Sequence, residues 1–172
     1  MAQTPAPFLQ VGREKAVAAN VEDADRRAGV TDGVGEQLGP LREAGHLARD
    51  EIFAVVDAAR EEGVGEIVVT HPDFPSQSLS FGDQQALAER GALLERCFTT
   101  PHTGKVTWER WLGNIDAAGP ENSVLATDLG QVDNPPVEDG LALLVDRLLA
   151  EGFSEEDVRT MAVTNTQRLA GS

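Results

Sequence analysis

The chain predicts an α/β protein with a parallel sheet, and three observations carry that prediction. Short apolar runs, Ile67 to Thr70, Ala92 to Phe98 and Val124 to Thr127, alternate with segments whose apolar residues recur at helical spacing. The first run is β-branched and apolar on both faces, as a parallel strand covered on both sides requires. Gly63, Gly91 and Gly119 recur at a constant interval where the helical segments stop, the pattern of stacked helix-and-strand units in a barrel or doubly wound sheet. A chain of 172 residues is long enough for one such domain with a sizeable core.

The elements follow in order. Ala48 to Glu62 places Ile52, Val55, Val56 and Ala59 on one face, which predicts an amphipathic helix ended by Gly63 in the left-handed region. The strand Ile67 to Thr70 comes next. A helix over Phe81 to Arg90 stops at Gly91 and leads into the strand Ala92 to Phe98. A helix over Thr107 to Ala118, with Trp108, Trp111, Leu112 and Ile115 as its apolar stripe, stops at Gly119 before the strand ending at Thr127. The loop around Asn134-Pro135-Pro136 precedes an apolar helix over Val137 to Ala150. Ser154 caps a last helix reaching about Ala162, with Glu155, Glu156 and Asp157 at the positive end of its dipole, and a short turn follows at Thr166 to Leu169. Residues 1–45 lack a convincing buried strand and are expected to form an irregular or weakly helical arm to an α/β domain over residues 46–172.

Charge narrows the function. The chain carries 29 acidic and 14 basic side chains, a formal net charge of −15. Such a surface repels nucleic acid and anionic membrane, because binding either needs clustered Lys and Arg. Only Lys15 and Lys105 are lysines; the balance suits a salty cytoplasm, or reflects base composition alone. The start of the chain shows no export signal and no span of about twenty apolar residues, so a cytoplasmic protein acting on a small molecule is expected. Cys97, the lone cysteine, excludes an intramolecular disulfide and a multi-cysteine zinc cluster and reads as a small core residue.

Two residues stand where α/β proteins keep their chemistry. His71 ends the run Glu66-Ile67-Val68-Val69-Thr70, and Asp128 ends Ser123-Val124-Leu125-Ala126-Thr127. Parallel strands open onto the ligand site at their carboxyl ends, so an imidazole and a carboxylate leaving two such ends can converge on one metal or substrate. The bland competitors are a strand-end histidine satisfied by backbone groups and an Asx turn at Asp128. His102, in the polar loop Thr99 to Lys105, reads as solvated rather than substrate-binding, and Trp108 and Trp111 as core anchors. Glu95, inside an apolar strand, faces either a barrel lumen or one side of an edge strand.

These segments carry a resemblance. Gly45-His46-Leu47 before a helix, Val69-Thr70-His71-Pro72 and Ala126-Thr127-Asp128-Leu129-Gly130-Gln131 resemble the fifth, sixth and eighth strand ends of amidohydrolase-superfamily, phosphotriesterase-like TIM barrels. The downstream stretch through Asp139-Gly140-Leu141, Gly152-Phe153-Ser154, Met161 and Thr164-Asn165 is similar to them too, so the likeness spans roughly residues 45–171. It implies a partial TIM barrel of the last three or four units. His46, His71 and Asp128 would be ligands of Zn²⁺ or Mn²⁺, and Asp128 would also take the proton of the attacking water in amide, ester, lactone or phosphoester hydrolysis. The family's first-strand His-x-His pair and fourth-strand bridging ligand have no counterpart here, and a full barrel takes about 250 residues. The expectation is therefore an incomplete hydrolase, closed by a second copy or a partner chain. Its alternatives are a non-catalytic fragment or assembly subunit, and a metal-independent lyase or small-ligand binder.

Overall fold

A computed structural model describes residues 16–18, 47–77 and 79–170. Four strands, β1 (Ala16–Ala18), β2 (Glu66–Val69), β3 (Ala92–Cys97) and β4 (Ser123–Ala126), form one sheet in the order β1-β2-β3-β4, every neighbouring pair parallel. The chain is thus α/β with an open parallel sheet. The order never reverses, so the described strands contain no switch point of a doubly wound sheet. The expectation of a strandless arm is corrected at one place: Ala16–Ala18 pairs with Glu66 to Val68.

The helices lie where the periodicity places them: α1 (Arg49–Glu61), α2 (Phe81–Glu89), α4 (Trp108–Ala118) and α5 (Val137–Ala150). Gly63, Gly91 and Gly119 follow the first, second and fourth helices with φ of 72°, 80° and 86°, a backbone that side chains with a Cβ resist. Two segments differ from expectation. The loop after β3 coils into a short α3 (Thr99–His102). The last helix does not end near Ala162: α6 (Glu155–Arg159) runs through a π turn at Thr160–Thr164 into α7 (Asn165–Ala170). Buried Asn165 explains the anchoring, since its amide donates to the Pro120 and Ser123 carbonyls at 3.0 and 2.8 Å and ties the helix to the foot of β4. No described helix is long and apolar enough to cross a membrane.

One face of the sheet meets the helices. Ile67 and Val69 of β2 and Ala92 and Leu94 of β3 pack with Ile52 and Val56 of α1 and Leu87 and Ala88 of α2. Leu125, on the same face by register, packs with Trp111 and Ile115 of α4 and Leu144 and Leu148 of α5. The expected stripe of α4 is core, as its spacing requires. Alternation along the strands then puts Val68, Leu93, Glu95, Cys97, Val124 and Ala126 on the opposite face. Glu95 belongs to this face of an interior strand, so the edge-strand reading does not hold.

Two polar residues, Arg96 and Ser123, share the helix-facing side. Arg96 is fully buried, and its guanidinium donates to both Asp73 oxygens at 3.0 and 3.2 Å, to Gln84, to the Ser123 hydroxyl and to the Asn114 carbonyl. Burial lowers its pKa while Asp73 acts to hold the charge. Asp73 also accepts from Gln84 at 3.0 Å and Asn114 at 2.6 Å, so the loop after β2 is fastened to α2, β3 and α4 together.

At the start of α2, Ser80 and Asp83 form a reciprocal capping box, and Asp83 pairs with Arg49 of α1 at 2.6 Å. The Arg49 hydrogen bond, then those from Ser80, lower the Asp83 carboxyl from 3.8 to about 2 against the opposing effect of burial. A carboxylate that titrates lower folded than unfolded stabilises fully above its unfolded value and loses that contribution as pH falls through 3.8 toward about 2. With solvent screening of the half-exposed Arg49, Asp83→Asn should cost about 1 kcal/mol at pH 7. The gap from wild type should close by about pH 2 in urea titrations; an unchanged gap there would remove Asp83 as its source.

Candidate metal centre

His71 and Asp128 occupy equivalent places, each two residues beyond the end of its strand. Among the described residues they are also the non-glycine residues with positive φ, 54° and 52°. The left-handed region costs an L-residue roughly 1–2 kcal/mol and is more tolerated by His and Asp than by most. Such conformations persist where surrounding structure enforces them and gather at functional sites. Here the enforcement is visible. The His71 carbonyl accepts from Phe74 N at 2.9 Å, and the Gln77 side chain holds the Thr70 carbonyl at 2.9 Å. On the other loop, Phe98 N and Thr99 N donate to the Ala126 and Thr127 carbonyls, extending the β3–β4 ladder up to Asp128. Gln131 reaches back to the Asp128 carbonyl at 3.2 Å. Gly140 lets α5 lie against this loop, since a Cβ there would collide with Leu129 and come within 3.0 Å of Thr127 Cγ2.

The two loops bring the imidazole and the carboxylate together, and Cys97 joins them. One donor atom from each of His71, Cys97 and Asp128 lies within 4.8 Å of the others, the one such cluster of three or more among the described residues. Tetrahedral zinc with bonds of about 2.0–2.3 Å sets ligand atoms roughly 3.3–3.7 Å apart, so side-chain adjustments of about 1 Å would close the set. The mixture of nitrogen, sulfur and oxygen suits zinc. Asp128 is exposed and Cys97 buried, which leaves the cluster open on the carboxylate side. Thr99 donates to Asp128 Oδ2 at 2.8 Å and fixes the carboxylate from the end of the third strand.

Cys97 is the core residue that the sequence reading expects, and it also borders the site. It is buried, as a core residue would be, yet its thiol faces the strand-end cluster. Burial, and then the nearby Glu95, Asp128 and Asp73 carboxylates, push the thiol pKa up, with a backbone hydrogen bond from His71 acting the other way. The available signal was parity: Cys97 sits two residues after Glu95, so both occupy the same face of β3, away from the helices. His46 lies outside the described residues. His102 stands apart from the cluster, exposed at the end of α3 with its ring stacked on Phe98 at 4.8 Å.

Backbone strain at His71 has a measurable sign. His71→Gly and His71→Ala remove the same imidazole, but only glycine accepts φ of 54° freely. The glycine variant should be about 1 kcal/mol the more stable in urea denaturation. Equal stability would mean the loop relaxes once the ring is gone.

No curated protein and no solved structure matches the chain. Residues 36–95 are similar to a family of unknown function (DUF6282), a span of about a third of the chain that includes His46 and His71 and stops short of Cys97 and Asp128.

Proposed function

We propose that the chain is a sector of a TIM-type barrel of the amidohydrolase kind, in which His71, Cys97 and Asp128 hold a divalent metal for hydrolysis of an amide, ester, lactone or phosphoester. The observation that carries this reading is the convergence of three different donor types from the ends of three consecutive parallel strands. Three protein ligands with an open side is the arrangement of catalytic rather than structural zinc sites. A thiol among the donors favours zinc over manganese. The metal would supply Lewis acidity, acidifying water and polarising the scissile carbonyl or phosphoryl oxygen.

The chain's own residues would do the rest. Asp128 accepts the proton of the attacking water, its orientation set by the Thr99 hydroxyl on one oxygen. His71 is presented by a loop that buried Asp73 clamps, and Cys97 closes the inner side of the site against water. The consecutive parallel order and the single helix-covered face support a barrel sector, and His46 remains a candidate fourth ligand by resemblance. Four strands are half of the eight a barrel needs, so a second copy or another chain would complete it, in the cytoplasm on this reading.

The test is divalent metal per chain by elemental mass spectrometry on protein purified without chelator, beside a His71→Ala, Asp128→Asn double variant. About one zinc per chain, lost in the variant, is the expected result. No metal, or equal metal in both proteins, would leave a non-catalytic subunit or a metal-independent ligand binder. Ester and phosphoester turnover that disappears with the metal then tests the hydrolysis itself.

A further inference from the structure

An open cleft of about 540 Å³ lies between the loop after β2, which carries Phe74, and the start of α4. Its volume falls in the range of small-molecule sites, roughly 300–1,000 Å³. It sits at the carboxyl ends of the parallel strands, where such folds bind ligands. Phe74, Pro75, Leu79 and Val106 supply apolar walls, and Lys105 and Arg110 supply two positive charges.

Those charges differ from most of the described arginines, Arg60 and Arg159 being the others with no described carboxylate within 4.0 Å. In a chain of net charge −15, Arg49, Arg90, Arg96, Arg147 and Arg168 each have a carboxylate within 4.0 Å. Arg60 instead spends its guanidinium on four backbone carbonyls. Among the described residues, no carboxylate reaches Lys105 or Arg110: Lys105 lies 5.9 Å above the Phe74 ring, and Arg110 donates only to the Leu79 carbonyl and stacks over Phe81. The carboxylate that lines the cleft, Asp73, is already occupied by Arg96, Gln84 and Asn114. The amino end of the eleven-residue α4, capped by Thr107, adds the positive end of a helix dipole to the same wall. Two cations with no carboxylate partner among the described residues of an acid-rich protein, over apolar walls, suit a ligand that brings its own negative charge.

We propose that this cleft binds a small organic oxyanion, a carboxylate or phosphate group on an apolar body, held by Lys105 and Arg110. The binding does not depend on the metal centre. Isothermal titration calorimetry with phenyl phosphate, benzoate and inorganic phosphate tests it. Saturable binding of at least one aromatic anion is expected, with inorganic phosphate at least roughly tenfold weaker because it lacks the body that the walls receive. Lys105→Met and Arg110→Gln should each weaken binding by about tenfold or more, Arg110→Lys should retain it, and Arg159→Gln, the same change of charge elsewhere, should leave it unaltered. The His71→Ala, Asp128→Asn variant should bind as wild type does, which separates this site from the metal reading. No saturable binding of either aromatic anion, inorganic phosphate binding as tightly as phenyl phosphate, equal loss in Arg159→Gln, or loss in the metal-ligand variant would each overturn the proposal.

Discussion

Arg96→Met should destabilise the fold by about 3–5 kcal/mol, since it strands the buried Asp73 carboxylate without its counter-charge. Methionine fills most of the arginine stem's volume, so the loss is electrostatic rather than a cavity. Arg96 is fully buried and Asp73 is 8% exposed, so water cannot take the place of the guanidinium. The Ser123 hydroxyl and the Asn114 carbonyl would lose their donor as well. Adding Asp73→Asn to the same chain removes the orphaned charge, and the double variant should regain about 2 kcal/mol. Urea denaturation of the wild type, both single variants and the double variant measures this as a cycle. A single-variant cost below about 1 kcal/mol, or a double variant no better than Arg96→Met, would show that the pair is not coupled. Asp73 follows His71 by two residues, so the same cycle reports how rigidly the His71 loop is held.

Cys97→Ala should lower zinc affinity by more than about a hundredfold while costing only about 1 kcal/mol of stability. Loss of an outer partner already costs roughly 10–100-fold in metal affinity, and removal of a direct ligand exceeds that. The stability cost is small because the side chain is small, and the cavity left in β3 is about one sulfur in size. Thr99→Val provides the comparison: it deletes the hydrogen bond to Asp128 at 2.8 Å and leaves every donor in place, so its loss should stay within roughly 10–100-fold. Competition against a chromogenic zinc chelator measures both. If Cys97→Ala binds zinc as the wild type does, the thiol is a core residue and the site reduces to His71 and Asp128.

The helices and strands between residues 47 and 170 were largely legible because each carried its own local signal. Apolar spacing placed α1, α2, α4 and α5 within a residue or two, and glycines with positive φ marked three of the helix ends. Local chemistry also named Ser154 as a cap, and its hydroxyl accepts from Asp157 N at 3.1 Å. The missed elements lack such signals. Thr99–His102 is a single turn with proline and two β-branched residues, and Ala16–Ala18 is a three-residue strand whose existence depends on the edge of β2. The extension of the last helix past Ala162 likewise rests on a tertiary contact, Asn165 against the foot of β4.

The site divides in the same way. His71 and Asp128 could be named from sequence because a polar residue at the end of a buried strand has a direction built into it, toward the loop face. By itself the sequence determined the alternation of helix and strand, the acidic balance of the chain, and the strand-end places of these two residues. Only the tertiary structure decided that β3 lies between β2 and β4, and that order puts the Cys97 thiol next to both. It also decided that Arg96 would turn to the helix side and bind Asp73, and that Lys105 and Arg110 would share a cleft whose lining carboxylate, Asp73, is already held by Arg96. The physical reason is range: propensity, capping and periodicity act over a few residues, whereas these pairings join positions 23 to 31 residues apart in the chain, whose proximity depends on strand order and register alone.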